Sequence, residues 1–287
     1  MDKTAEQRGP DFIGIGVPKS GSTWFMRVLS QHPNIFTTAK KEPHFFIIDD
    51  TYRKDFKNYY KLYKNAKPHQ KAGEFSTKYI NFAEKSSHRI KKHFPNVKLI
   101  CILRDPLERA ISHYRWLKQL RIINSEVSLK DAIDINKGII NFSKYSEGVK
   151  IFLNDFNKEN ILFLKTDDLK ISEKNVFKLV ENFLEIEEFS FQTKDVAKSE
   201  TFNPKYKMFE SLRKNLHKQI RDNDQDWILN TKIATSFSKF YRKFNSNKLL
   251  ENKVSLEDRK LLRGYFEDDL ACLESLINLD IKNWNKV

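Results

Sequence analysis

The stretch Gly14-Ile-Gly-Val-Pro-Lys-Ser-Gly-Ser-Thr-Trp24 constrains this chain more than any other. It joins an apolar run, Phe12 to Val17, to a segment in which Phe25, Val28 and Leu29 recur on one helical face. A short apolar run bounded by Gly and Pro predicts a buried strand. The apolar spacing after it predicts a helix to about Gln31, stopped at His32-Pro33. The intervening loop, Pro18 to Ser22, therefore meets a helix N-terminus, where unpaired N–H groups and the positive dipole end favour an anion. A Gly-containing loop at that place lets backbone donors wrap a phosphate. Lys19 adds a full positive charge, and the Ser22 and Thr23 hydroxyls add donors. In an ATP-type phosphate loop the Lys directly follows a Gly and precedes Ser or Thr. Here Lys19 comes before Gly21 and no Gly-Lys-Ser/Thr follows, so ATP and GTP chemistry loses its main support. A plain Gly-bearing turn is the bland alternative, but the Pro-Lys-Ser-Gly-Ser-Thr-Trp order is more specific than such a turn requires.

The rest of the chain alternates strands with helices. A Lys- and aromatic-rich helix is expected over Tyr52 to Lys64, a strand over Ala72 to Phe75, and a helix over Ser86 to Phe94 that ends at Pro95. Val97 to Leu103 reads as a second buried strand. Asp105 then caps a helix with Pro106 at its first position, and Leu107, Ala110, Ile111, Tyr114 and Leu117 follow core-facing spacing. Ile161 to Lys165 is a further strand between helices. The last helix is expected from Leu256 to Asn278, opened by a capping box of Ser255 and Asp258. This alternation predicts an α/β fold, a central parallel sheet flanked by helices. Residues 1–287 read as a single domain without repeats, with 1–10 disordered. Residues 200 to 250 show no clear pattern.

Composition bears on the ligand. The 52 Lys and Arg residues against 38 Asp and Glu give a net charge of +14, which favours anionic partners. Scattered lysines that merely coat the surface explain the same figure. With 39% hydrophobic residues, 23 Phe among them, the chain can bury a core and is not a disordered one. Cys101 and Cys272 form no disulfide framework and no zinc spacing, which suits a reducing compartment. The polar N-terminus lacks the apolar stretch of a secretory signal, and no run is long enough to span a bilayer. A cytoplasmic protein without an integral membrane segment is expected. No Asp or His cluster suggests a metal, and no aromatic-interleaved basic motif suggests nucleic acid.

Three segments together resemble the sulfotransferases that use 3′-phosphoadenosine 5′-phosphosulfate (PAPS). Pro18 to Trp24 resembles that family's 5′-phosphosulfate loop. Ile102-Leu-Arg-Asp-Pro-Leu-Glu-Arg-Ala-Ile-Ser-His-Tyr114 resembles its 3′-phosphate site, with Arg104 and Ser112 in the phosphate-holding places. The chemistry agrees: an Arg fork suits phosphate oxygens, and Arg104 falls where a strand runs out, the edge at which open α/β sheets bind ligands. Lys41-Glu-Pro-His-Phe-Phe46 resembles a segment of the glycan-modifying, heparan-sulfate-sulfotransferase-like branch, in which the Glu is the general base. The resemblance implies a P-loop-like sulfotransferase fold, PAPS as donor, adenosine 3′,5′-bisphosphate (PAP) as product, no metal, and a carbohydrate, small alcohol or lipid as acceptor. Lys19, Ser20, Gly21, Ser22, Thr23, Trp24, Arg104 and Ser112 are then the donor contacts. Lys19 also stabilises the leaving phosphate. Glu42 is the base and His44 the runner-up; the alternative is that both are surface residues beside a buried Phe45-Phe46 pair. Trp24 either stacks on the nucleotide or lines the core.

Weaker resemblances extend along the chain. Gly73 to Tyr79 resembles the family's Glu-Lys-Ser-Pro-x-Tyr segment, with Phe75 where Lys is common and Thr77 where Pro is common. Glu74 could orient the acceptor or be a second base, and Lys78 could be a displaced cation. Thr166 stands where the family's strand-end Tyr often contacts nucleotide. The run to Leu270, with Trp284, resembles the closing helix. Lys198 to Lys205 corresponds to a late loop over the nucleotide. A kinase-like phosphotransferase and a non-enzymatic polyanion binder are the readings from other classes.

Overall fold

The computed structural model describes residues 8–194, 196, 212, 215, 216, 241 and 254–285. Expectations for residues 1–7, for Lys198 and Lys205, and for most of 200–250 lie outside these. Residues 8–10 are ordered, contrary to expectation, because Arg8 donates to the Lys67 carbonyl at 2.6 Å and pairs with Asp11. The chain divides into two compact units: Met1–Tyr114, Ser128–Lys198 and Val254–Val287 form one, and Arg115–Val127 with Ser199–Lys253 the other.

Five parallel strands form the sheet among the described residues: β1 (Phe12–Gly16), β2 (Ile35–Thr37), β3 (Lys71–Phe75), β4 (Lys98–Leu103) and β5 (Ile161–Lys165), in the order β2-β3-β1-β4-β5. Strands buried on both faces need continuous apolar runs rather than alternation, which is why β1 and β4 are legible in the sequence. The chain leaves β1 toward β2 at one edge and leaves β4 toward β5 at the other, in opposite directions. The β1–β4 crevice is therefore the switch point at which ligands bind such sheets.

Helices flank the sheet. On one side α1 (Ser22–Leu29), α9 (Thr166–Ile171) and α10 (Glu173–Leu184) pack Phe25, Val28, Leu169, Phe177 and Val180 against Phe12, Phe75, Ile100 and Ile102. Phe25 stacks on Phe177 with ring centroids 5.3 Å apart. Each such ring contributes about 1.5–3 kcal/mol by leaving water. A second layer joins α4 (Ala83–His93), α8 (Ser146–Asp155) and α12 (Glu267–Leu276). Between these run α2 (Asp49–Lys54), α3 (Phe56–Lys61), α5 (Pro106–Gln119), α6 (Leu129–Ile135), α7 (Gly138–Asn141) and α11 (Leu256–Gly264).

Two expected helices are broken. Tyr52 to Lys64 divides at Asp55, which has φ −133° and whose carbonyl starts the next helix by accepting from Asn58 and Tyr59. Asp competes with helical backbone bonding and favours such breaks. The C-terminal helix divides after Gly264, where Tyr265 and Phe266 leave the helix and Phe266 is fully buried. Ser255 does cap its start, accepting from the Asp258 amide at 3.0 Å. The strand β2 went unread because three residues carry no periodic signal.

Gly14 shows how tightly this core is filled. A Cβ there would lie 1.9 Å from the Phe75 ring, whose edge meets Phe12 and Phe25. Gly14→Ala should destabilise the fold by about 1–3 kcal/mol through overpacking. Urea unfolding would show this as a lower midpoint at unchanged slope.

Candidate active site

The loop after β1 and the chain after β4 meet at the switch point. Gly21 has φ 86°, a left-handed conformation that glycine adopts without penalty, and its carbonyl accepts from the Trp24 and Phe25 amides to open α1. Lys19 also has positive φ, 73°. Arg104 Nη1 donates to the Lys19 carbonyl at 2.9 Å, so the second phosphate-type residue braces the first loop. Thr166, from the end of β5, places its hydroxyl 3.1 Å from the Ser20 carbonyl and 3.0 Å from that of Leu103. The residue that replaces the family's Tyr thus ties the loop to β4.

The electrostatics are one-sided. The Lys19 ammonium is pulled down to about 8, first by burial and then by Arg104, Arg109 and Lys41. Arg109 was not singled out in the sequence, yet it is fully buried. Its guanidinium donates to the Gly138 carbonyl at 3.1 Å, to the Ser143 hydroxyl at 2.9 Å and to His113 Nδ1. None of these partners is a carboxylate. Burial and Arg109 together hold His113 neutral, its pKa pushed down to about 3. The i, i+4 spacing of Arg109 and His113 was the one available signal, and it does not distinguish a buried pair from a surface pair. Lys19, Arg104 and Lys41 therefore gather at the N-terminus of α1, with the charge of Arg109 acting on Lys19 from within α5, and this arrangement attracts a multiply charged anion.

The Glu42 segment reaches the same place. Lys41 Nζ donates to Thr23 Oγ1 at the head of α1 and lies 3.5 Å from Glu42. Glu42 accepts from the Thr77 amide at 2.9 Å and from the Thr77 hydroxyl at 3.0 Å. His44 Nε2 stands 3.4 Å from Glu42 Oε2, and its Nδ1 is buried without a hydrogen-bond partner. Burial lowers the His44 pKa, with Glu42 opposing and the lysines assisting. A neutral His44 with its proton on Nε2 faces Glu42 as a donor.

Several expected contacts fall elsewhere. Trp24 is a core residue: it is 7% exposed, its ring packs against Phe177 with centroids 6.1 Å apart, and it belongs to the cluster that covers the sheet. An α1 residue following the N-cap must turn one face inward, and Trp24 is on it. The Ser20 hydroxyl is used internally, donating to the Val17 carbonyl at 2.7 Å, which leaves only its backbone for a ligand. Glu74 is fully buried, and its carboxyl oxygens accept from the Ser76 and Tyr79 hydroxyls. Lys78 is exposed, 5.9 Å from the centre of the Phe142 ring. Ser22 is buried, and half-buried Ser112 lies one turn after Glu108 on α5. Glu108 lies 3.8 Å from Arg104 and 2.7 Å from Arg259. Asp105 caps α5 through the Leu107 amide and pairs with Arg263 at 3.1 Å. Trp284 closes the C-terminal turn by donating to Asp167 at 3.0 Å. Among the described residues no group of three His, Cys, Asp or Glu side chains could hold a metal ion, and no helix is long and apolar enough to cross a membrane.

Comparison with known proteins bears on this geometry. The chain is 30% identical over 190 residues to heparan sulfate glucosamine 3-O-sulfotransferase 5 of Mus musculus, covering 63% of this chain and 54% of that one. It is 32% identical over 139 residues to the membrane-associated sulfotransferase kil1 of Dictyostelium discoideum, covering 46% of this chain and 29% of that one. It thus spans about half or less of the length of these relatives. Its fold matches a sulfotransferase from Alicyclobacillus acidocaldarius with TM-score 0.71 at 20% identity, over 97% of this chain and all of the other. Residues 9–270 match the sulfotransferase domain, and the chain belongs to that family.

Proposed function

We propose that this protein transfers a sulfuryl group from PAPS to a hydroxyl or amine of an acceptor, a carbohydrate in the first instance. The observation that carries the reading is the gathering of Lys19, Arg104 and Lys41 at the α1 N-terminus, with Glu42 tied to that helix through Lys41. The backbone N–H groups of Ser20 to Thr23 and the Lys19 ammonium take the 5′-phosphosulfate. Arg104 and Ser112 take the 3′-phosphate; Arg104 Nε has no hydrogen-bond partner within the protein. The acceptor oxygen attacks sulfur as Glu42 removes its proton, the S–O bond to phosphate breaks, and Lys19 meets the charge left on the phosphate oxygen. PAP leaves as product. The carbohydrate preference draws on the heparan sulfate relatives and on Lys41 to Phe46. The chain is read as one sulfotransferase domain, and its two free thiols, Cys101 and Cys272, suit the reducing cytoplasm.

Calorimetric titration with PAP, AMP and ATP tests the donor site. PAP should bind selectively, and Arg104→Ala should weaken it roughly 10- to 100-fold, the loss of one or two charge-assisted hydrogen bonds. Binding of Mg-ATP without preference for a 3′-phosphate would overturn the proposal. Transfer from labelled PAPS to N-sulfated heparan oligosaccharides, phenols and small alcohols then sorts the acceptor classes.

A further inference from the structure

Behind Glu42 lies a second carboxyl group, enclosed by the fold. Glu74, in β3, is fully buried, and no Lys, Arg or His pairs with it among the described residues. Its Oε2 accepts from the Ser76 hydroxyl at 2.8 Å and its Oε1 from the Tyr79 hydroxyl at 2.9 Å. Each of those hydroxyls also receives an amide from the Glu42 segment. The His44 N–H donates to Ser76 Oγ at 3.0 Å, and the Phe46 N–H to the Tyr79 oxygen at 3.4 Å. A hydroxyl has one proton and two lone pairs. With Glu74 ionised, each hydroxyl commits its proton to the carboxylate and a lone pair is left facing the amide. One carboxyl thus sets the direction of two rotors, and those rotors hold two amides.

The held segment needs holding. Glu42 has φ 55° and His44 φ 53°, a left-handed conformation that side-chain-bearing residues rarely adopt. Such conformations persist only where the surroundings over-determine them. The Phe75 carbonyl accepts the Glu42 amide at 3.1 Å, and the Ser76 amide donates to the Gly14 carbonyl at 2.9 Å, which anchors the mould to β1.

We propose that Glu74 is a positioning residue: by orienting the Ser76 and Tyr79 hydroxyls it fixes the backbone at His44 and Phe46, and so the direction in which Glu42 is presented. This rests on the reading of Glu42 as the base. It accounts for a buried acid held by two hydroxyls and by no cation among the described residues. A fully satisfied polar network instead selects one arrangement among several. The groups that face Glu74 are Tyr59, Tyr63, Tyr79, Ser76 and Glu42, none of them cationic, and burial lifts its pKa to about 8 against the pull of Ser76 and Tyr79.

Amide hydrogen exchange on the full chain, resolved at His44 and Phe46, tests this, with PAP calorimetry alongside. Glu74→Ala should speed exchange at both amides roughly tenfold or more, local opening having become easier. Ser76→Ala should do so at His44 only, and Tyr79→Phe at Phe46 only. Glu74→Gln keeps the volume but offers one acceptor oxygen at every pH, so above about pH 8, where the parent carboxylate accepts from both hydroxyls, it should release one of the two amides relative to the parent, and it serves where the alanine variant does not fold. PAP affinity should be unchanged in all four. Protection that persists at both amides in Glu74→Ala and Glu74→Gln, or that is lost equally through β1 and β3, overturns the proposal. A Glu42→Gln variant with undiminished transfer would refute the base assignment and leave these exchange results standing, so the two failures are distinguishable.

Discussion

Glu42→Gln should lower the rate of sulfuryl transfer by about 10²- to 10⁴-fold, the range a positioned general base supplies. PAP affinity should stay within about twofold, because the base acts on the acceptor and not on the donor. Gln preserves the shape and can still accept from Thr77, whose amide and hydroxyl hold the carboxylate at 2.9 and 3.0 Å. It cannot take a proton. The substitution therefore separates chemistry from geometry, which Ala would not. His44→Asn is the control. Its imidazole, kept neutral by burial, faces Glu42 as a donor, so its loss should cost less than that of Glu42. The reverse order in single-turnover rates, with labelled PAPS and whichever acceptor class supports transfer, would reassign the base to His44.

The second large effect belongs to Lys19. Its pKa in the free protein is depressed to about 8 by burial, Arg104, Arg109 and Lys41. Below that pH the ammonium is charged and ready for an anion; as pH rises through it, the charge and its share of binding are lost. A bound phosphate restores the charged form, so binding at pH 8 should take up about half a proton. Calorimetry in buffers of different ionisation enthalpy reads that uptake directly. Lys19→Met should abolish it and lower the transfer rate by about 10²- to 10³-fold, as removal of a preorganised electrostatic group does. Proton uptake that survives in Lys19→Met would mean another group titrates.

Much of this protein is determined by its sequence. The apolar runs Phe12 to Val17 and Val97 to Leu103 declare β1 and β4, because strands buried on both faces carry no alternation to hide them. The Pro-Lys-Ser-Gly-Ser-Thr order, the Asp105-Pro106 helix start and the Ser255 cap are local chemistry, legible wherever the partners are near in sequence. Arg104 could be named for a strand end, since its place follows from β4 alone.

Tertiary structure decided what depends on distant partners. Trp24 goes to the core because Phe177, remote in sequence, waits under α1. Arg109 becomes a buried cation only when the Gly138 and Ser143 region folds over α5. Glu74 looked like an acceptor-facing acid in a familiar segment. It is instead a concealed hub, because Ser76 and Tyr79 turn back on it and receive the His44 and Phe46 amides. Residue type and local order fix which groups can bind an anion or move a proton. Burial and long-range hydrogen bonds fix which of them face the substrate and which hold the others in place, and neither is a property of any short stretch of chain.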